Sequence, residues 1–409
     1  MSNFEIGLWS FPALLVLLFL RVPIGPAMAL IGFCGTWLVT GTPNMTLAQL
    51  KNLTFGTFAN YSFSIIPLFL LMGQFATISG MSRDLFKAAE AWLGHLRGGV
   101  AMSAIGACAG FGSICGSSLA TAATMGQVAL PELKRYGYSG RLATGALAAG
   151  GTLGILIPPS VVLVIYAILT ELNIAKLFVA AMVPGILAAA GYMITIAILV
   201  RMKNEAGTVL ERKTFEERLL ALVRVWPVLM IFMAVVGGIY FGFFTPTEAA
   251  AVGAAGTGLL ALFSGQLNLR KTGDAILGTA KSTGMIFMII LGASLFNNFL
   301  ALTQLPQNTA SWVGAQGFSP WLVLFAVLAL YLVFGCIMDS LSMILLTVPI
   351  FFPIVVNLGF DPVWFGIIVV MVVELGLITP PIGMNVFVIK GMAQNVPLQT
   401  IYRGVIPFV

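Results

Sequence analysis

Chemistry in this sequence concentrates where an apolar chain turns polar without turning charged. Two runs, Gly110-Phe111-Gly112-Ser113-Ile114-Cys115-Gly116-Ser117-Ser118 and Gly335-Cys336-Ile337-Met338-Asp339-Ser340, set glycines and hydroxyls inside long apolar stretches. Two others, Gly154-Ile155-Leu156-Ile157-Pro158-Pro159-Ser160 and Gly376-Leu377-Ile378-Thr379-Pro380-Pro381, interrupt such stretches with paired prolines. Proline removes a backbone donor and does not fit inside an intact helix, and each glycine costs a helix about 1 kcal/mol against alanine. All four runs therefore leave carbonyl oxygens without intrahelical donors. Carbonyls with a few hydroxyls suit a hard monovalent cation, whereas half-helix N-termini suit an anion. Ser113, Ser117, Ser118, Gly154, Ile157 and Pro158 make one candidate cation site; Gly335, Gly376, Thr379 and Ile382 make a second. The serines serve equally as caps of the half-helix that follows, and capping and ion binding are compatible.

The other polar residues divide quickly. Residues 282–389 hold no Lys or Arg and three acids, Asp339, Asp361 and Glu374. An acid at membrane depth without a basic partner is a functional candidate. Asp339 reads as the N-cap of its half-helix, as an ion ligand or as a substrate-facing residue, Asp361 as a solvated loop residue before Pro362, and Glu374 as a brace beside the break. Asn298 and Asn385 stand in apolar runs, placed to face substrate or to hydrogen-bond between helices. One histidine (His95) and four scattered cysteines offer no metal cluster, and no P-loop, HExxH or GxSxG stands in a sensible context. Neither an ATPase nor an intramembrane enzyme is indicated.

The elements that must hold these runs are membrane helices. Of 409 residues 59% are apolar and 8% charged, and mean hydropathy is +1.03; soluble domains run at about 45–50% and about 25%. At about 20 residues per span the chain has apolar stretch for roughly ten. The continuous runs exclude a β-barrel pattern. The reading is an all-α polytopic membrane protein. Residues 8–40, interrupted by Arg21 and Pro23-Ile24-Gly25-Pro26, admit one span or two. Residues 45–59 and 268–281 read as interfacial and 83–97 as amphipathic. Spans are expected at 62–80, 174–201, 224–243, 245–264 and 283–301. Segments 99–134 and 320–356 read as re-entrant hairpins, with tips at 112–118 and 335–340. Segments 139–170 and 361–395 read as discontinuous helices. The N-terminus lacks a basic region and a cleavage site, so a retained first helix is expected. From about 398 a further apolar segment begins, too short to span by Val409, which suggests a truncated sequence.

The pattern occurs twice. Sliding the chain along itself by one fixed offset carries Ser118-Leu119 onto Ser340-Leu341, Pro131 onto Pro353, Gly137 onto Gly359, Gly154 onto Gly376, Pro158-Pro159 onto Pro380-Pro381 and Val164 onto Val386. Five complete crossings separate equivalent points, an odd number, so the copies are expected inverted in the membrane. Placing the charged 201–224 segment in the cytoplasm puts sixteen basic residues inside, among them Arg83, Lys87, Arg97, Lys134, Arg135, Arg141 and Lys390, against Lys51 and Lys176 outside. That is the asymmetry of the positive-inside rule. Hairpin 1 then dips from the cytoplasm and hairpin 2 from the opposite side. Two inverted copies meeting near the midplane make a transporter-type site, with ions at unwound backbone and substrate between.

These motifs, with Arg21-Val22-Pro23-Ile24-Gly25 near the start, resemble the large membrane subunit of tripartite ATP-independent periplasmic (TRAP) transporters over essentially the whole chain. The resemblance implies a sodium-coupled secondary transporter of elevator type in a bacterial inner membrane, with Na+ as coupling ion at about two sites, one per hairpin. It implies a transport domain of residues 83–170 and 283–397, and scaffold in 1–82 and 171–282, with 398–409 beginning a C-terminal helix. Implied partners are a small four-helix membrane subunit, a periplasmic substrate-binding protein, a carboxylate-bearing organic acid and membrane lipid; no nucleic acid is implied. Two departures stand out: Gly112 lies where a hydroxyl would be useful, and the chain stops before the family's usual last helix. The alternative within transport is a dicarboxylate- or citrate-type symporter that needs no binding protein. A channel lacks any filter motif here.

Overall fold

A computed structural model describes residues 2–203 and 207–409, and among the described residues the regular elements are all helical. Part of the charged 201–224 segment, residues 204–206, lies outside the described residues. Among the described residues, four helices are long and apolar enough to cross a bilayer: Tyr61–Ile78, Ile174–Met202, Leu269–Leu302 and Ser340–Asn357. Two bent pairs could each make one more span, Gly140–Leu156 with Val161–Thr170 and Phe215–Arg224 with Trp226–Tyr240. The expected count of about ten is reached only by adding helices of 10–17 residues, shorter than the roughly 20 a straight span needs.

Residues 8–40 form two helices, Asn3–Phe19 and Ile24–Thr40. Pro23 cannot continue the first, because it has no N–H to give, and Arg21 turns the chain through a left-handed φ of 64°. The second helix lies along Leu269–Leu302 at backbone contact. A Cβ on Gly25 would stand 2.9 Å from the Met288 carbonyl oxygen, and one on Gly32 would stand 2.6 Å from the Leu295 carbonyl carbon. Small residues at such crossings let membrane helices gain close dispersion contact where no hydrophobic drive exists between them.

Leu269–Leu302 is one helix of 34 residues, about 50 Å long at 1.5 Å per residue. Residues 268–281 are therefore not a separate interfacial segment, as the sequence suggested. Lys281-Ser282-Thr283-Gly284 contains no proline, and a lone glycine costs too little to stop a helix that packing supports. The expected 224–243 span is Trp226–Tyr240, set off by a 49° bend at Val225 from the preceding helix Phe215–Arg224.

Both hairpins form. Hairpin 1 is Gly99–Cys115 and Ser118–Arg135; hairpin 2 is Pro320–Gly335 and Ser340–Asn357. The offset that superposes the sequence landmarks also carries Ser118–Arg135 onto Ser340–Asn357 at both ends. Broken helix 1 is Gly140–Leu156 and Val161–Thr170, bent by 42°; broken helix 2 is Pro362–Gly376 and Met384–Met392. The broken helices run antiparallel. Gly140 at the start of the first meets Val396 just beyond the second, where a Cβ would stand 3.0 Å from the valine methyl. Near the other end, the Tyr166 hydroxyl donates to the Pro362 carbonyl at 2.8 Å.

The charged segment shares an end with hairpin 1. Thr208 N–H donates to the Tyr136 carbonyl at 2.8 Å and Leu210 N–H to Gly94 at 3.3 Å. There Met81–Leu93 and Phe215–Arg224 pack together, with the Arg218 guanidinium 5.8 Å from the Trp92 ring. The base of hairpin 2 carries aromatics instead: Trp321 and Phe360 meet edge-to-face with centroids 5.2 Å apart, and Phe360 stacks on Trp364 at 5.7 Å.

Candidate functional site

The non-helical tip of hairpin 1 is narrower than the sequence suggested. Gly112-Ser113-Ile114-Cys115 remain helical, and only Gly116 and Ser117 turn, with Gly116 left-handed at φ 64°. Ser117 is extended and caps the second arm, its hydroxyl accepting from Ala120 N–H at 3.4 Å. Ser113 sits on the helix before the turn and donates to the Gly110 carbonyl at 2.8 Å. In hairpin 2 the turn is Cys336–Asp339. Asp339 is the N-cap, its carboxylate accepting from Ser342 N–H at 3.1 Å and from the Ser342 hydroxyl at 2.5 Å.

Each tip is pressed into the break of its own repeat's helix. A Cβ on Gly112 would lie 2.6 Å from Gly154 Cα, one on Gly154 would lie 2.7 Å from the Ser117 carbonyl oxygen, and one on Gly116 would lie 2.9 Å from the Pro159 carbonyl oxygen. Ser117, Gly154 and the break holding Ile157 and Pro158 are thus assembled, and Gly112 is there for close approach rather than as a missing hydroxyl. In the second repeat a Cβ on Gly376 would lie 2.7 Å from Gly335 Cα, and Gly383 N–H donates to the Cys336 carbonyl at 3.1 Å. Thr379 donates to the Leu375 carbonyl at 2.6 Å, which leaves its oxygen lone pairs free. The Ile382 carbonyl accepts from the Tyr402 hydroxyl at 2.6 Å, so one lone pair of this candidate ligand is already taken.

The two clusters are joined through a residue the sequence offered only as a brace. Glu374 is 3% exposed, and its carboxylate accepts from Ser118 Oγ of hairpin 1 on one oxygen and from Ser340 Oγ of hairpin 2, at 3.1 Å, on the other. Ser340 was legible as the counterpart of Ser118 in the repeat, yet the candidate cation sites omit it.

Beside these clusters lie two under-used buried side-chain oxygens, those of Thr121 and Asn385. Thr121, one turn into the second arm of hairpin 1, has no hydrogen-bond partner beyond the neighbouring Cys115 thiol, and its Oγ1 faces Gly154. Its signal was the i, i+3 and i, i+4 spacing from Ser118 and Ser117, which puts all three on one side of the arm. Asn385 is fully buried; its Nδ2 donates to the Ala148 carbonyl at 3.4 Å, while Oδ1 has no partner. That contact joins broken helix 2 to broken helix 1, the helix-bridging role. Asn298 is half-buried on Leu269–Leu302, and its neighbour Asn297 lines a cavity of about 180 Å³ with Gln307, Pro349 and Asn357 near the base of hairpin 2. At the charged end a larger polar cleft of about 650 Å³ separates hairpin 1 (Gln127, Glu132, Arg135) from the helix bearing Arg83, Lys87 and Glu90.

A helical chain with two hairpin tips set against two antiparallel broken helices has known counterparts. The family model described as "Tripartite ATP-independent periplasmic transporter, DctM component" matches residues 11–409. The chain belongs to the DctM family. Among its relatives, a C4-dicarboxylate TRAP transporter large permease protein of Pseudomonas aeruginosa is 41% identical over 355 residues, covering 87% of this chain and 82% of that one. A sialic acid TRAP transporter large permease protein of Vibrio cholerae is 30% identical, covering 96% and 90%. Among solved structures, the YdaH transporter of Alcanivorax borkumensis shares the fold at a TM-score of 0.64 and 16% identity, covering 89% of this chain and 85% of that one. MtrF of Neisseria gonorrhoeae follows at 0.55 and 14%, covering 89% and 81%. As a DctM protein the chain is a multi-pass membrane permease component of a transporter.

Proposed function

We propose that this DctM protein is the large permease subunit of a bacterial inner-membrane transporter that imports an organic acid anion by sodium symport. It receives its cargo from a periplasmic binding protein and works beside a small membrane subunit. The observation that carries the reading is the pairing of each hairpin tip with a broken helix. Irregular backbone at membrane depth persists only where protein buries it or where it lines a polar site, and here it supplies oxygens at two places and very few fixed charges. Ser113, Ser117, Ser118, Gly154, Ile157 and Pro158 would hold one sodium ion; Gly335, Gly376, Thr379 and Ile382 would hold the other. The residues fit that cargo: carbonyls and hydroxyls are hard donors, and Thr121 leaves a buried oxygen beside the first cluster. The antiparallel broken helices support an elevator motion in which the hairpins and broken helices move against the Ile24–Thr40 and Leu269–Leu302 pair; residues 283–302, expected in the transport domain, then go with the scaffold because they continue the helix from Leu269.

The anion class rests on the relatives, whose names include C4-dicarboxylate, sialic acid, isethionate and ectoine, all of which carry a carboxylate or sulfonate. The test is uptake of radiolabelled dicarboxylate, sialic acid and sulfonate panels into proteoliposomes holding this chain and its small subunit. Accumulation is expected only with an inward sodium gradient and added binding protein. Uptake that ignores sodium would end the symport reading. Uptake that needs no binding protein would make the chain a self-sufficient dicarboxylate- or citrate-type symporter.

A further inference from the structure

Glu374 stands where the two repeats meet. Its carboxylate is buried, and residues 282–389 around it contain no Lys or Arg. Its two oxygens accept from two serines, Ser118 and Ser340, that occupy equivalent positions in the two repeats. Each serine is the first residue of an 18-residue second hairpin arm. The carboxyl group therefore meets two helix N-termini at once.

The consequence lies in the connectivity. Ser118 follows Ser117, whose carbonyl oxygen lies against Gly154 in the first cation cluster. Glu374 precedes by two residues Gly376, which is packed on Gly335 in the second. A displacement of either tip must pull on a buried hydrogen bond that leads to the other, and a buried polar group left without its partner is costly. A network whose members are all satisfied also rigidifies what it joins.

We infer that Glu374 is a positioning residue that ties the hairpin tips together, so that a cation ordering one cluster preorganises the other. The inference rests on the sodium-coupled reading and adds to it a source of cooperativity between the two sites. Sites linked in this way bind with a steeper dependence on ligand than independent ones.

The experiment uses the complete complex, with small subunit and binding protein, carrying wild-type, S118A, S340A and S118A/S340A chains and the same four in the E374Q background. Gln keeps the size of Glu374 and replaces one of its two acceptor oxygens with a donor. Sodium-activation curves of uptake are each normalised to their own maximum, so that only steepness and midpoint are compared. Wild type is expected to show a Hill coefficient of about 2 and E374Q about 1, with the half-saturating sodium raised several-fold. In sodium-free buffer, the melting shifts of S118A and S340A are expected to be non-additive when Glu374 is present and additive in the E374Q background. An E374Q curve as steep as wild type overturns the coupling whatever the melting data show, and shifts additive in both backgrounds overturn the tie. A wild type that ignores sodium sinks the symport reading instead, while the melting cycle still decides the tie. Where E374Q is not recovered folded, S340A, which cuts the link at a residue outside both sodium sites, carries the same steepness test.

Discussion

At the scale of single residues the two repeats use the same trick in different side chains. Gly154 and Gly376 are equivalent, and each lets a hairpin tip touch the backbone of a broken helix. A methyl group on Gly154 would stand 2.4 Å from Thr121 Oγ1 and 2.7 Å from the Ser117 carbonyl oxygen. Overpacking of this kind costs about 1–3 kcal/mol. Gly154→Ala is expected to lower the melting temperature and abolish sodium-dependent uptake, whereas Gly191→Ala, with nothing within 4 Å, should leave both intact; equal effects would refute the close-approach role. Thr379 has its proton committed to Leu375, so its oxygen alone is offered to an ion. Thr379→Ala should raise the half-saturating sodium by an order of magnitude or more, and Thr379→Ser should restore most of it, measured as sodium-activated uptake. Much of this was legible, because glycine, serine and paired prolines in an apolar run have few other uses. What was not legible was which oxygens remain unpartnered. Ser113 and Thr121 look alike in the sequence, but the first donates to Gly110 while the second is left over, a difference set by tertiary packing.

At the scale of elements the sequence marked breaks better than continuities. Pro158-Pro159, Pro380-Pro381 and the serine-rich tips end helices by removing donors or offering caps, so both hairpins and both broken helices stand where they were expected. Helices whose ends depend on packing were misjudged. The polar residues of 268–281 suggested a separate segment, but in a helix of 34 residues they simply carry Leu269–Leu302 beyond the apolar depth. Gly284 tests this, since it sits mid-helix with open space around its Cα. Gly284→Ala should stabilise the helix by up to about 1 kcal/mol. Gly284→Pro should cost about 3 kcal/mol, read as loss of folded protein in detergent by size-exclusion chromatography. If both substitutions were neutral, residues around 284 would form a joint between two segments rather than the interior of one helix.

At the scale of the whole molecule, charge and aromatic residues mark opposite ends. The base of hairpin 1 carries Arg97, Lys134 and Arg135 and packs against the charged segment through Thr208 and Leu210. The base of hairpin 2 carries the Trp321, Phe360 and Trp364 cluster, inside the 282–389 stretch that has no Lys or Arg. Basic residues are retained on the cytoplasmic side and aromatic rings settle at the membrane interface. Hairpin 1 should therefore open to the cytoplasm and hairpin 2 to the periplasm, which also puts the larger polar cleft on the cytoplasmic side. Labelling of intact cells with a membrane-impermeant maleimide checks this, with Cys34, the exposed native cysteine, replaced by alanine. Glu216→Cys in the charged segment should label only after the membrane is permeabilised, and Gln316→Cys at the base of hairpin 2 should label at once. The reverse pattern would turn the molecule over. Labelling of both in intact cells would put the two bases on one side, which no odd number of crossings between the repeats allows, and the inverted arrangement on which the two-site mechanism depends would fail with it.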